Sequence, residues 1–248
     1  MDIDNDKKEL ISTLAGKVEK TKTKSRNYTL DLRIHSPASL GYLGVDGLDT
    51  APALVRLAET KGLDVIAITD FCSGSYIDRV VSAAEKSDLT VIPGVELRCT
   101  VGNCSDVSIT ALFPENFRTS DVESFLRELN IPAEAALKPD DYRVKKEFSL
   151  IVQAIESRGG VVVPTRMDKT PLRMQIIPIL VDQYGFRTFD LAYADSAMFF
   201  KSRWPKIKFH LFSFSSAKAL AQIGSRTAKV KLETPGFEGI KSVVARMI

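Results

Sequence analysis

The segment TAPALVRLAETKGLDVIAITDF, residues 50–71, carries both of the periodicities from which an α/β domain is assembled. In its first half Ala51, Leu54, Val55, Leu57 and Ala58 recur at the spacing that places them on one helix face, and Gly62 supplies the stop. In its second half Val65-Ile66-Ala67-Ile68 is a short, β-branched apolar run of strand length. That run ends on Asp70 and Phe71, a carboxylate and an aromatic at a strand's carboxyl end.

The same alternation extends in both directions. Strands are expected near 28–35, 64–69, 89–98, 106–113, 160–164, 186–193 and 207–214. Helices are expected over 50–61, 75–86, 119–129, 143–158 (closed by Gly159-Gly160), 172–184 (closed by Gly185) and 216–223, and a strand near 227–232 and a helix over 236–247 follow. Alternation of this kind predicts parallel strands joined by right-handed crossovers, in a barrel or an open sheet. In either, chemistry gathers at the carboxyl ends of the strands. The residues closing the runs are Arg33 and His35, Asp70 and Phe71, Glu96, Ser108, Arg166, Asp195, and Ser216 to Lys218. Ahead of this body, Leu10, Ile11, Leu14 and Val18 sit at helical spacing and KTKTKSR reads as a solvated linker. Residues 1–27 are therefore read as an amphipathic helix with a basic linker, and 28–248 as one barrel domain.

The 248 residues, 44% hydrophobic and 26% charged, describe a globular chain and exclude disorder and collagen-like repeats. No apolar run approaches the roughly 20 residues of a membrane helix, and MDIDNDKKEL is too charged for a signal peptide. The expected compartment is the cytoplasm, with no membrane partner. A formal charge of +3 permits a phosphate or nucleic-acid partner without requiring one. Cys72, Cys99 and Cys104 cannot all pair, and Cys99 and Cys104 flank a turn signal across which they could face one another. No G-x-x-x-x-G-K-[ST] phosphate loop occurs.

Five ordered segments resemble the polymerase and histidinol phosphatase (PHP) family. Asp31-Leu32-Arg33-Ile34-His35-Ser36 is similar to D-L-H-x-H-[ST], and Ile66-Ala67-Ile68-Thr69-Asp70-Phe71 to I-A-I-T-D-H. Pro93-Gly94-Val95-Glu96 matches P-G-x-E, Gly159-Gly160-Val161-Val162-Val163-Pro164-Thr165-Arg166 resembles G-G-x-x-x-P-A-H, and Ser215-Ser216-Ala217-Lys218-Ala219-Leu220 resembles S-S-D-A-H-x-L. The resemblance implies a distorted seven-stranded (β/α) barrel. Members with intact motifs hold two or three zinc, manganese or iron ions and hydrolyse phosphate esters, since clustered metals can deprotonate a water and polarise a phosphoryl oxygen.

Most of that ligand set is absent from this sequence. Arg33, Phe71, Ser108, Arg166 and Lys218 stand where the family has histidines, and Ser216 where it has an aspartate. His35 and Glu96 remain, with Asp31 and Asp70 beside them, and the only other histidine, His210, falls inside a predicted strand. The expectation is a pseudoenzyme without the family metals, serving as a binding or scaffolding module. Arg33, Arg166 and Lys218 then either neutralise Asp31, Asp70 and Glu96 or form an anion site for a phosphate-containing ligand or nucleic acid. The family offers precedent, because some bacterial replicative polymerases keep PHP domains that have lost their metal ligands. The enzyme alternative is a phosphoesterase keeping a reduced metal site on His35, Glu96 and Asp70. Phe71 would fill the vacated volume, and Tyr193 and Asp195 could line the pocket. The run Lys201-Ser202-Arg203-Trp204-Pro205-Lys206-Ile207-Lys208 is compatible with single-stranded nucleic acid or with a solvated loop. The N-terminal helix is a candidate contact for a protein partner.

Overall fold

The computed structural model describes residues 25–247, so the predicted N-terminal helix and almost all of the basic linker lie outside the described residues. The strands are β1 (Arg26–Ile34), β2 (Val65–Ile68), β3 (Thr90–Val101), β4 (Cys104–Leu112), β5 (Val161–Thr165), β6 (Thr188–Asp190), β7 (His210–Phe212) and β8 (Ala228–Leu232). They form one sheet in the order β7-β6-β5-β4-β3-β2-β1-β8. Beyond β7 the chain returns to β1, where Ala217 bridges Ile34 and the His35 N–H donates to the Ala217 carbonyl at 2.9 Å. The sheet is thereby curled into a nearly closed barrel of eight strands rather than seven, with β8 paired antiparallel to β1.

All eight strand regions coincide with predicted ones, but the all-parallel expectation fails at β4. It runs antiparallel to both β3 and β5. The cause is local, since only Gly102 and Asn103 separate β3 from β4, and a two-residue connection makes a hairpin, never a crossover. Gly102 takes φ +56, which the tight turn requires. The hairpin does not set the two cysteines opposite one another, because Cys99 pairs with Val107 and Cys104 with Val101. Both thiols are buried and free, and burial raises that of Cys99 well above its ordinary range.

The helices are α1 (Thr50–Thr60), α2 (Ile77–Ala84), α3 (Thr119–Glu128), α4 (Phe148–Glu156), α5 (Pro171–Met174), α6 (Ile177–Asp182), α7 (Ala197–Arg203) and α8 (Phe237–Val244). Asp49 caps α1, whose Ala51, Leu54, Val55 and Ala58 are buried as the periodicity predicts. The expected helix over 172–184 is divided into α5 and α6, since Pro178 has no N–H to continue the ladder from Met174. That over 143–158 begins only at Phe148, because the Val144 N–H is committed to the Arg98 carbonyl. That over 216–223 shrinks to a 3-10 turn at Leu220–Gln222, as Lys218 and Ala219 pair instead with Leu43.

Side chains alternate between two apolar layers. Leu30, Leu32, Val65, Ala67, Ile92, Leu112, Val161 and Val163 fill the barrel, and Phe237, Ile240 and Val244 of α8 close it at one end. Between sheet and helices a larger layer contains Leu54, Ile66, Ile68, Val95, Leu97, Ile109, Phe113 and Phe125. Gly94 shows why the barrel wall needs a glycine ahead of Glu96. A Cβ there would lie 2.8 Å from the Ala111 carbonyl and 2.9 Å from Thr69 Cγ2. Gly94→Ala is expected to cost about 1–3 kcal/mol by overpacking, read as a lowered urea midpoint; an unchanged midpoint would mean that β3 and β4 can separate freely.

Candidate functional site

At the end of the barrel opposite α8 the interior turns polar, and the sequence near β1 is responsible. The β1–β2 register slips between Asp31 and Ile34. Consecutive residues Leu32 and Arg33 therefore both border the barrel's inner cavity, Leu32 in the apolar layer and Arg33 at the mouth. Arg33 is 7% exposed. It donates to Glu96 Oε2 from Nη2 at 2.8 Å and from Nε at 3.2 Å, and its Nη1 lies 3.7 Å from Asp190 Oδ2. Glu96 Oε1 accepts from the Ser108 hydroxyl at 2.8 Å.

His35 Nε2 lies 3.6 Å from Glu96 Oε2, while Nδ1 is 3.1 Å from the Ser39 hydroxyl. Arg166 approaches from β5, with Nε 3.8 Å from Asp190 Oδ2 and Nη2 donating to the Phe214 carbonyl at 3.2 Å. Lys218 stands on the opposite wall with His35 and Ser39. Arg166 and Ser216 both adopt left-handed backbone, φ +53 and +54. That conformation is costly for residues other than glycine.

Two predicted members are not part of the mouth. Asp70 turns away and accepts from the Ser36 N–H (2.7 Å), the Ser36 hydroxyl (2.5 Å) and the Ser39 hydroxyl (2.6 Å), holding the loop after β1. Asp31 accepts from the N–H groups of Ser215 and Gly224, both at 3.1 Å, and so fastens the returning chain to β1. Arg33 and Arg166 neutralise Glu96 and Asp190, not Asp31 and Asp70. Phe71 is buried beneath Glu96, to whose backbone it bridges, and fills the volume expected of it.

Sequence reasoning missed Asp190, which is 1% exposed between two guanidinium groups. An aspartate enclosed by Phe189 and Leu191 in a strand was the available signal, and the expectation settled instead on Asp195. It also missed the cations Arg98 on β3, Arg173 on α5, and Lys169 and Arg226 on loops, which line the mouth. Arg98 and Arg173 pair with Asp106, and Arg173 further fixes the Arg166 carbonyl at 3.2 Å. Among the described residues, neither Lys169 nor Lys218 has a carboxylate within pairing distance. Trp204 is engaged elsewhere. It is half-buried, its ring packs edge-on or tilted with Phe199, Phe200 and Phe209, and its Nε1 donates to Asp182 at 3.0 Å, away from the residues that line the mouth.

Burial and ion pairing set the protonation states. Burial alone would raise the Glu96 carboxyl, but the Arg33 guanidinium outweighs it and holds the group down at about 2. Burial lowers His35 to about 4 against the pull of Glu96, so the imidazole is neutral at pH 7. Asp190 is pushed up to about 6 by burial, despite Arg33. Burial likewise raises Asp31 and Asp70.

A cluster of divalent metals needs several imidazoles and carboxylates with free lone pairs. Here both Glu96 oxygens are engaged, Asp70 faces two serines, and a guanidinium sits where a cation's ligands would converge. Among the described residues, no three His, Cys, Asp or Glu side chains gather closely enough to hold a metal ion. This donor set does not fit the polynuclear centre that intact motifs would build.

Comparison with known proteins agrees with the fold. The PHP domain model matches residues 31–159. The lesion-specific endonuclease PfuEndoQ from Pyrococcus furiosus superposes with a TM-score of 0.64 at 18% identity, over 88% of this chain and 56% of its own. This chain thus spans little more than half of that enzyme. A Bifidobacterium adolescentis protein assigned as a metal-dependent phosphoesterase gives 0.55 at 14% identity, over 88% and 96% of the two chains. An amidohydrolase from Chromobacterium violaceum, with sulfate bound and no metal, gives 0.56 at 13%, over 88% and 97%. No curated protein matches the sequence.

Proposed function

The chain belongs to the PHP domain family, and we propose that it is a member whose barrel mouth binds a phosphate-containing ligand without hydrolysing it and without the family's zinc, manganese or iron. The observation that carries this reading is the Arg33–Glu96 ion pair in the centre of the mouth. It neutralises the last metal-type carboxylate and leaves the surrounding cations in excess. Arg166, Lys169, Lys218 and Arg226 then face a cavity whose deeper acidic groups, Glu96 and Asp190, are already matched by guanidinium groups. Guanidinium and ammonium groups converging on one cavity favour phosphate oxygens through charge-assisted hydrogen bonds. The sulfate in the Chromobacterium violaceum structure is the kind of anion such a mouth would take.

Titration calorimetry with inorganic phosphate tests the reading, beside elemental analysis after incubation with zinc and manganese. Combined Lys169→Ala and Lys218→Ala substitution is expected to weaken phosphate binding at least about tenfold, since two charge-assisted contacts are removed. Stability should stay within about 0.5 kcal/mol, as neither side chain has a carboxylate partner among the described residues. Stoichiometric metal together with hydrolysis of p-nitrophenyl phosphate, abolished by Glu96→Gln, would replace the proposal with the reduced-metal phosphoesterase.

A further inference from the structure

The mouth is one compartment of a longer trough. The cavity over Arg166, about 250 Å³, and the cavity over Lys218, about 220 Å³, share Arg33, Glu96, Arg98, Lys169 and Ser216 as common wall. On its other side the Arg166 cavity shares Ala192, Tyr193 and Arg226 with a shallow compartment of about 620 Å³. The three therefore adjoin one another, in the order Lys218, Arg166, Arg226. Each contains a cation on its wall. The acids along the way are Glu96, bonded to Arg33, Asp140, paired with Arg98 at 3.3 Å, and Asp195 at the outer end.

Tyr193 stands at the junction of the Arg166 and outer compartments. It is 53% exposed although Leu191 and Ala192 before it are buried, and its position is held by its N–H bond to Asp168 at 2.8 Å. Its neighbour Ala192 is fixed by the same carboxylate, also at 2.8 Å. An anchored backbone presenting an exposed aromatic ring beside a row of cations matches what single-stranded nucleic acid demands of a surface. Phosphates follow the charge, and a base stacks on a π-face without regard to sequence.

The geometry points to a single-stranded oligonucleotide as the ligand, lying along the trough with one base on Tyr193 and successive phosphates near Lys218 and Lys169, Arg166, and Arg226. This rests on the anion-binding reading of the mouth and extends it from a single phosphate to a chain of them. A lone phosphate would use one compartment and would leave the ring of Tyr193 without a role, while Arg226, whose Nη1 donates to the Ala192 carbonyl at 2.7 Å, also holds the backbone beside that ring.

The test is fluorescence anisotropy on the full chain with a labelled dT 12-mer, competed by inorganic phosphate and by unlabelled oligomers of increasing length. The 12-mer is expected to bind at least about tenfold tighter than phosphate, with log K falling against log salt at a slope of about −2 to −3 for three or four phosphate contacts. Tyr193→Ala should weaken the 12-mer at least about fivefold and leave inorganic phosphate binding unchanged, while Tyr193→Phe retains the affinity. Equal affinity for phosphate and for every oligomer length would overturn the oligonucleotide and leave the anion site standing. Loss of both ligands from the wild-type protein would sink the two readings together. Oligomer binding that ignores Tyr193, Arg226 and Lys218 but falls on substitution of Lys206 and Lys208 would place nucleic acid on another face and equally overturn the trough.

Discussion

Arg33→Met is expected to destabilise the protein by about 3–5 kcal/mol, because it removes one partner of a buried ion pair and leaves the other charge uncompensated. Glu96 is only 5% exposed, and without the guanidinium its carboxylate would keep the Ser108 hydroxyl as its one close donor. Asp190, 1% exposed, would lose the same cation. Two buried carboxylates would then face each other across the vacated position. The double variant Arg33→Met, Glu96→Met should recover most of the loss, since replacing a whole buried pair by apolar groups of similar volume is often neutral or favourable. Urea unfolding of the wild type and both variants gives the comparison. A single variant less than about 1 kcal/mol below wild type would show that water reaches Glu96 freely, and that the pair is a surface contact of small worth.

How far this site could be read beforehand depends on which residue is considered. Arg33, Arg166 and Lys218 meet at the mouth because each lies near the end of, or after, a strand legible in the sequence, and Glu96 joins them from within β3, which runs on to Val101. Asp31 and Asp70 occupy positions just as clear, yet their carboxylates are spent on backbone and serine donors of the adjoining loops. Nothing in strand periodicity distinguishes a carboxylate that faces the cavity from one that ties a loop. Asp190 escaped notice for the opposite reason, since its burial between Arg33 and Arg166 arises only when β1, β5 and β6 come side by side. Lys169 and Arg226 lie on loops far apart in sequence, and only barrel closure makes them neighbours. The reversed β4 was legible in the turn signal between Cys99 and Cys104, and what the sequence did not reveal was the register, which pairs Cys99 with Val107 and Cys104 with Val101.

Three buried groups of the mouth give stability an unusual dependence on pH, and Asp190→Asn exposes it. His35 is lowered in the fold from 6.5 to about 4. The unfolded chain therefore takes up its proton first, and stability falls as pH drops through that interval, by about 3 kcal/mol. Asp190 is raised from 3.8 to about 6, so the folded protein takes up the proton first and stability rises as pH drops from about 6 towards 4, by a similar amount. Between pH 6.5 and 4 the two oppose each other. Glu96, lowered from 4.5 to about 2, contributes above 4.5 and loses its contribution, again about 3 kcal/mol, as pH falls towards 2. Wild-type protein is thus expected to hold its stability down to about pH 4.5 and lose it below. In Asp190→Asn, His35 alone of the three is left in the upper interval, so stability should fall relative to wild type from about pH 6 downward, the raised Asp31 and Asp70 carboxyls acting alike in both proteins. Unfolding free energies from urea titrations at pH 7, 6, 5, 4 and 3 measure both profiles. If the Asn variant follows the wild-type curve between pH 6.5 and 4.5, Asp190 is not carrying its proton in the folded protein, and the charge between Arg33 and Arg166 is permanent.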